Sequence, residues 1–231
     1  MFLADDYNFS STEKLNTALS GEIADVLASA ISKKGAAVLV VSGGNTHAGM
    51  LSKLSEQVIS WSNVTVLLTN DRWIATTHNR SHEGMVRRYL LQNEAAKASF
   101  VGFYASDIEI DQAPTILEDK LDVLNRPVDA LILGMGEDGH TAPLFLKTEN
   151  MEDFLNVKEG PKTTFVKLNS EIEDRITLSF SVLTNAHHIF LHFTGVLKKE
   201  VYQKIVSGDL QTSLGRVLDT STGHIKLFWA A

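Results

Sequence analysis

Residues 36–46 read AAVLVVSGGNT, and this stretch decides the fold that the whole chain is expected to adopt. Its first six residues are apolar, which is typical of a strand buried on both faces in a parallel sheet. Two glycines, Gly43 and Gly44, then allow a tight turn before helical spacing begins at Thr46. The stretch therefore predicts a buried strand that passes through a short turn directly into a helix.

The same succession recurs outward from this stretch in both directions. The apolar runs VTVLL at 64–68 and ALIL at 130–133 predict two further buried strands. Ser10 or Ser11 is expected to cap a helix that Gly35 ends. Helices are expected over residues 10–33, 46–56, 81–91, 113–124, 181–186 and 198–207, and further strands over 98–103, 163–168, 175–180, 189–193 and 225–229.

This alternation predicts an α/β fold in which right-handed crossovers build a mostly parallel sheet, covered by helices on both faces. Residues 163–168 and 175–180 look like shorter alternating strands, and we expect them at an edge. The chain has 231 residues and contains no linker and no internal repeat. Residues 1–231 are therefore expected to form a single domain.

Composition argues against several classes of function. With 21 basic and 28 acidic residues the formal net charge is −7, which argues against a surface for nucleic acid or an anionic membrane. There are no cysteines, so disulfides, thiolate nucleophiles and cysteine metal ligands are excluded. The first residues are acidic where a signal peptide would be basic, and no apolar run approaches the ~18 residues of a membrane span. A cytoplasmic protein is expected.

Ligands of such sheets bind beyond the carboxyl ends of the strands, which directs attention to four short segments. The first contains Ser42, Gly43 and Gly44, and its N–H groups at a helix N-terminus would form an anion site. The alternative is an ordinary turn in which Asn45 or Thr46 caps the helix.

Two further segments each carry a cation. Arg72 follows the strand at 64–68, where its guanidinium could grip a phosphate, unless it only forms a solvated surface pair with Asp71. Lys198 follows the strand at 189–193 in the first turn of a helix, where a cation is unfavourable for the helix dipole. An anionic ligand would explain that placement, and the alternative is an exposed lysine beside Lys199.

The fourth segment, residues 134–142, reads GMGEDGHTA. Three glycines within six residues indicate a backbone with unusual φ values, and these glycines bracket two carboxylates next to His140. A histidine at this position can take a proton from water, particularly when a carboxylate orients its ring. The alternative is a glycine-rich turn in which His140 packs locally.

The other histidines give no sign of a joint site. His47, His78, His82, His192 and His224 lack metal-ligand spacing with a carboxylate partner, and we expect them not to cluster. The sequence also contains no G-x-S-x-G nucleophile motif. No metal site is expected.

Taken together, five segments resemble the 6-phosphogluconolactonase family. They are SGGNT at 42–46, NDRW at 70–73, LGMGEDGHTAPLF at 133–145, RITLSF at 175–180 and GVLK at 195–198. They occur in the family's order, and the third is close to diagnostic, whereas the others are individually weak. The resemblance implies a Rossmann-like three-layer α/β/α sandwich. It also implies hydrolysis of 6-phospho-D-glucono-1,5-lactone to 6-phospho-D-gluconate in the oxidative pentose phosphate pathway, without a cofactor.

The resemblance further implies roles for individual residues. His140 would act as general base on a water molecule, and Asp138 would orient its ring. Arg72 and Lys198 would hold the 6-phosphate, and amides of the loop at 134–139 would stabilise the oxyanion. The other substrate-binding residues would be Ser42, Gly43, Gly44, Gly136 and Arg175. The implied partner is a phosphorylated sugar lactone, and a monomer or small homo-oligomer is expected.

The sequence departs from the family pattern at several positions. Asn70 stands where the family usually has an acid, and residues 45–47, Asn-Thr-His, replace Ser-Thr-Pro. Leu146 replaces a proline, and residues 171–174 replace a proline-rich approach to the RITL strand.

Two rival functions fit less well. A glucosamine-6-phosphate deaminase or isomerase would have a further carboxylate after the histidine, whereas residues 141–145 contain none. A non-catalytic sugar-phosphate sensor would carry a DNA-binding helix-turn-helix, for which 231 residues with a net charge of −7 leave no room. Both comparisons favour the lactonase.

Overall fold

A seven-stranded sheet organises the structure, a computed structural model that describes residues 4–142, 160–168 and 173–231. The strands are β1 Ala4–Phe9, β2 Ala37–Val41, β3 Val64–Leu68, β4 Asn70–Arg72, β5 Ser99–Val101, β6 Val128–Leu133, β7 Thr163–Val166, β8 Arg175–Leu178, β9 Ala186–Thr194 and β10 His224–Ala230. The large sheet has the order β1-β10-β9-β6-β2-β3-β5, and every neighbouring pair in it is parallel.

The central strands are apolar because helices flank the sheet. All five residues of β2 and all six of β6 are buried, so both faces of each strand are covered. The helices are α1 Thr12–Lys34, α2 Asn45–Ser55, α3 His82–Tyr89, α4 Ala113–Leu117, α5 Phe180–Thr184, α6 Val196–Ser207 and α7 Ser213–Thr220. Short 3₁₀ helices occupy Trp61–Asn63, Asn93–Lys97 and Asp119–Asn125. The expected Rossmann-like α/β architecture is confirmed.

Local signals set the ends of α1 as the sequence predicts. The Ser11 hydroxyl accepts the backbone N–H of Lys14 at 3.3 Å, which satisfies one of the unpaired donors of the first turn. Gly35 ends the helix with φ 80°, a left-handed conformation that glycine adopts without strain. Along the described chain no helix is long and apolar enough to cross a membrane.

The expected helix over residues 113–124 is interrupted. The α-helix ends at Leu117 and a 3₁₀ segment follows, in which Leu121 has non-helical φ and ψ of −101° and 16°. The apolar spacing continues through the break, because Leu117, Leu121 and Leu124 are all buried. The hydrophobic pattern therefore reports burial here and not an unbroken helix.

The strands expected within residues 163–168 and 175–180 are found, but they belong to a second, antiparallel sheet and not to an edge of the large sheet. These residues form β7 and β8, which pair with each other and with β4 in the separate order β4-β8-β7. In this register Arg72 lies opposite Arg175. The small sheet therefore brings together two cations that are about a hundred residues apart in the chain.

The order of the strands places a crevice between β2 and β6. From β2 the chain proceeds outward to β3 and β5, and then returns to β6 on the other side of β2. The connections that leave β2 and β6 therefore diverge at their carboxyl ends, which is where α/β sheets bind ligands. Residues 42–44 and 134–142 belong to these two connections.

Candidate active site

A pocket of about 250 Å³ opens at this crevice. Most of the substrate-binding and catalytic residues predicted from the sequence line it: Ser42, Gly43, Gly44, Arg72, Gly136, His140, Arg175 and Lys198. Asp138 does not line the pocket but is hydrogen-bonded to His140. The pocket draws on the ends of β2, β4, β6, β8 and β9, so residues far apart in the sequence converge on one cavity.

The glycine pair after β2 joins the strand directly to α2. Gly44 is the N-cap of α2, with φ 109° and no side-chain hydrogen bond to the helix, so neither Asn45 nor Thr46 caps it. The uncapped N-terminus lies at the pocket, as an anion site requires. The Ser42 hydroxyl is already occupied, because it donates to the carbonyl of Ile132 at 2.9 Å and thereby ties β2 to β6.

Gly43 lies against the ring of His82. A Cβ atom on Gly43 would be 2.1 Å from that ring, so only glycine fits there. Nδ1 of His82 donates to the carbonyl of Asn70 at 2.9 Å, and its Nε2 accepts from the Arg72 guanidinium at 3.1 Å. Burial is the main reason that the pKa of His82 is lowered, so the ring is neutral and holds the guanidinium of Arg72 in the pocket.

Asp71 is not the solvated partner of Arg72 that the alternative interpretation supposed. It is 1% exposed and accepts the backbone N–H groups of Arg72, His82 and Glu83 at 2.7–2.8 Å. These contacts satisfy donors at the start of α3, where Ser81 is the N-cap. Asp71 therefore fixes the connection between β4 and α3.

Arg72 and Arg175 bring excess positive charge to the pocket. Nη1 of Arg72 donates to the carbonyl of Arg80 at 2.6 Å, and Nη1 of Arg175 donates to Oδ1 of Asn70 at 3.2 Å. The buried Nε of Arg175 has no hydrogen-bond partner. Burial, followed by the nearby charge of Arg72, lowers the pKa of Arg175 to about 10. An anion between the two guanidinium groups would relieve this repulsion.

The loop after β6 folds back on itself. The amide of Gly136 donates to the carbonyl of His140 at 2.9 Å, and that of Gly139 donates to the carbonyl of Gly136 at 3.1 Å. A Cβ on Gly136 would be 2.4 Å from the His140 ring, so the glycine lets the ring lie over the backbone. These two amides are used inside the loop, so the oxyanion role expected for the amides of residues 134–139 does not extend to them.

His140 and Asp138 form a hydrogen-bonded pair. Nδ1 of His140 lies 2.5 Å from Oδ1 of Asp138, and the backbone N–H of His140 reaches the same oxygen at 3.2 Å. Burial alone would raise the pKa of Asp138, but the hydrogen bonds from His140 lower it. Asp138 is therefore ionised and holds the proton of His140 on Nδ1. The last residues of the central motif, 143–146, lie outside the described residues.

Lys198 lies in the first turn of α6, as predicted. Gly195 is the N-cap, with φ 97° and no side-chain hydrogen bond to the helix. In the part of the chain that the structure describes, no carboxylate pairs with Lys198, although its neighbour Lys199 pairs with Asp6 at 2.5 Å. A helix N-terminus with an added cation is unfavourable by itself, and an anionic ligand would stabilise it.

The expectation that the other histidines do not cluster is wrong. His47, His82 and His192 all line the pocket together with His140. Nδ1 of His47 lies 3.0 Å from Nδ1 of His192, and both side chains are buried. Sequence spacing gives no signal of this pair, since α2 and β9 approach each other only in the folded sheet.

Across residues 4–142, 160–168 and 173–231, no three His, Asp or Glu side chains are grouped so that they could hold a metal ion. The chemistry that the pocket offers is proton transfer by His140 and anion binding by Arg72, Arg175 and Lys198.

Comparisons with known proteins agree on one family. The family model described as glucosamine-6-phosphate isomerases/6-phosphogluconolactonase matches residues 10–226. A 6-phosphogluconolactonase of Pseudomonas aeruginosa is 38% identical over 180 residues, which cover 78% of this chain and 76% of that protein. Another, from Mesorhizobium japonicum, is 34% identical over 222 residues, 96% of this chain and 93% of that protein. The crystal structure of a 6-phosphogluconolactonase from Shewanella baltica OS155 matches with a TM-score of 0.91 and 31% identity, covering 99% of this chain and 98% of that chain.

Proposed function

The chain belongs to the glucosamine-6-phosphate isomerase/6-phosphogluconolactonase family, and on that premise we propose that it hydrolyses 6-phospho-D-glucono-1,5-lactone. The product is 6-phospho-D-gluconate, and the reaction is a step of the oxidative pentose phosphate pathway. One observation on the pocket supports the proposal independently of family membership. A histidine paired with a carboxylate shares a single pocket with three cations, which is what hydrolysis of a phosphorylated substrate requires.

His140 is the general base of the proposed reaction. Because Asp138 accepts the proton on Nδ1, the lone pair of the ring is on Nε2, which can take a proton from water. The resulting hydroxide oxygen bonds to C1 of the lactone and forms a tetrahedral oxyanion. When the intermediate collapses, the bond between C1 and the ring oxygen breaks, and protonated His140 returns the proton to that oxygen. The product is the open-chain acid.

Asp138 supports both halves of this cycle. Its ionised carboxylate stabilises the imidazolium that forms when His140 accepts the proton, and it keeps the ring in the tautomer that the next cycle needs. Since Asp138 is 69% exposed, water weakens this electrostatic effect, and we assign it chiefly to orientation of the ring.

The 6-phosphate is held by Arg72 and Lys198, with Arg175 assisting. Charge-assisted hydrogen bonds from guanidinium and ammonium groups suit a dianion. The uncapped N-terminus of α2 at Gly43 and Gly44 adds backbone N–H groups and the positive end of a helix dipole. This arrangement selects a phosphorylated sugar through its 6-phosphate, which takes no part in bond breaking.

A hydrolysis assay tests the proposed function. The lactone is added to the purified protein, and the rate is compared with spontaneous hydrolysis under the same conditions. We expect a large acceleration with the phosphorylated lactone and much less with glucono-1,5-lactone, because the cations then have no phosphate to hold. Ammonia release from glucosamine 6-phosphate, without acceleration of lactone hydrolysis, would contradict the proposal.

A further inference from the structure

The buried pair His47–His192 has no part in the chemistry described so far. His47 is in the first turn of α2 and is 2% exposed, and His192 is in β9 and fully buried. Their Nδ1 atoms are 3.0 Å apart, so one of them must donate and the other accept. The pair therefore has two possible arrangements of its protons.

The two remaining ring nitrogens differ in their surroundings. Nε2 of His192 is sealed from solvent and has no hydrogen-bond partner. His47 lines the pocket, and its Nε2 lies beside Gly134, 2.9 Å from where a Cβ on that glycine would be. A proton on Nε2 of His192 would be a buried donor without an acceptor, whereas a proton on Nε2 of His47 can be donated to a ligand.

This difference decides the tautomers. An orphaned N–H group in a protein interior is rarer and more costly than an acceptor without a donor. His192 therefore carries its proton on Nδ1 and donates it to Nδ1 of His47. That bond in turn places the proton of His47 on Nε2. Burial, then His192, His82 and Lys198, lowers the pKa of His47 well below its ordinary value, so the ring stays neutral.

We propose that His47 binds the substrate through its Nε2–H group, which donates to an uncharged oxygen of the sugar lactone, and that His192 is the positioning residue that fixes this tautomer. The inference rests on the proposed function. We assign a sugar oxygen as the acceptor because Nε2 of His47 lies beside Gly134, the first residue of the loop that carries His140. The arginine that we assign to the phosphate is instead contacted by His82. A neutral donor suits an uncharged acceptor.

The tautomers can be measured without any activity assay. Two-bond proton–nitrogen correlation spectra of ¹⁵N-labelled protein near neutral pH distinguish a protonated ring nitrogen from an unprotonated one. We expect a proton on Nδ1 of His192 and on Nε2 of His47. The opposite arrangement, or rapid averaging of the two, would overturn the assignment even if the protein is an active lactonase.

Variants of His47 test its contact with the substrate. His47→Leu removes the donor, and we expect KM for the lactone to rise about three- to tenfold, the effect of one neutral hydrogen bond, with kcat nearly unchanged. His47→Gln can place an amide donor near the same position and should recover most of the loss. If His47 only packs under the loop, kcat falls instead because His140 is displaced, and that result contradicts the proposal.

Variants of His192 test its positioning role. His192→Asn keeps a donor near the position of Nδ1 and should retain the KM of the wild-type protein, whereas His192→Leu should raise it as His47→Leu does. Inhibition by inorganic phosphate should be equal in all four variants, because Arg72, Lys198 and Arg175 would hold the phosphate and His47 would donate to another oxygen. If phosphate binding weakens together with lactone binding, the acceptor is not a sugar oxygen. An inactive wild-type protein would refute the proposed function and leave the tautomer result to be judged by the spectra.

Discussion

Single residues of the pocket determine each other's positions. Gly43 makes room for the ring of His82, and Gly136 makes room for the ring of His140. His82 in turn accepts a hydrogen bond from Arg72, and His140 donates one to Asp138. Through these rings each glycine affects the position of a charged group, Arg72 or Asp138.

Gly43→Ala tests this dependence. The added methyl group overlaps the His82 ring, so we expect a loss of about 1–3 kcal/mol in the free energy of unfolding. KM for the lactone should rise as well, because displaced His82 no longer holds Arg72. Denaturant unfolding and steady-state kinetics measure both quantities.

Gly21→Ala is the matched control for this substitution. Gly21 lies inside α1, and a Cβ there would meet no atom within 4 Å. Alanine should therefore stabilise the helix by about 0.5–1 kcal/mol and leave KM unchanged. A stable Gly43→Ala protein with normal KM would show that His82 does not position Arg72.

Arg72→Ala and Lys198→Ala test the assignment of the phosphate site. Each removes a charge-assisted contact to a group remote from the reacting carbon, so KM should rise about ten- to hundredfold while kcat changes little. Lys120→Ala, which removes an exposed lysine that does not line the pocket, is the control for net charge. A loss confined to kcat in Arg72→Ala or Lys198→Ala would contradict the assignment.

The start of α3 depends on a single side chain, that of Asp71. Asp71→Ala removes the carboxylate that accepts backbone N–H groups of His82 and Glu83 and leaves these donors buried and unpaired. We expect a loss of about 2–4 kcal/mol in the free energy of unfolding. Asp107→Ala, at an exposed position, should change it by less than about 0.5 kcal/mol. Equal stability of the two variants would contradict the capping role of Asp71.

The sequence predicts best those elements whose side chains are uniformly apolar. The strands β2, β3 and β6 are confirmed because burial on both faces leaves a continuous hydrophobic run. The edge strand β1, ADDYNF, is missed, since four of its six residues are exposed and polar or aromatic side chains face solvent. The three-residue strand β4 is missed because only its partner β8 makes it a strand.

The helix α7 is missed for a different reason. Its sequence, SLGRVLDT, is short and contains a glycine, so its intrinsic helix propensity is low although its apolar residues have helical spacing. In the structure Thr212 caps it, accepting the backbone N–H of Gly215 at 3.1 Å, and Leu214, Val217 and Leu218 are buried. Tertiary packing therefore stabilises a helix that its intrinsic propensity alone does not predict.

For the whole molecule, buried histidines make stability depend on pH. Burial, then the charge of Lys198, lowers the pKa of His192 from 6.5 to about 4. Between these two pH values the imidazole of His192 is protonated in the unfolded chain and neutral in the folded protein. The free energy of unfolding therefore decreases as pH falls from about 6.5 towards 4. His192 alone accounts for up to about 3 kcal/mol of this loss.

The measurement compares the wild-type protein with His192→Leu. Unfolding free energies are determined by urea titration at about pH 7 and about pH 4.5. The variant should be less stable at neutral pH, yet lose less stability on acidification. An equal loss in both proteins would show that His192 does not titrate on unfolding.

Some residues of the pocket can be predicted from the sequence, but their contacts cannot. The rule that ligands bind at the carboxyl ends of parallel strands places Ser42, Arg72, His140 and Lys198 at one edge before any coordinates are known. The rule says nothing about which side chains touch. The His47–His192 contact depends on how α2 packs against β9, and the pairing of Arg72 with Arg175 depends on a second sheet that local patterns do not define.

The central claim is that His140 activates water for hydrolysis of the lactone, and one comparison tests it most directly. The rate of lactone hydrolysis above the spontaneous background is measured for the wild-type protein, for His140→Ala and for His224→Ala, a control at the opposite end of the sheet. We predict that His140→Ala lowers kcat by about 10²–10⁴-fold with KM largely unchanged, and that the control retains full activity. A His140→Ala protein with kcat within about tenfold of wild type would contradict the account, because general-base catalysis contributes more than that.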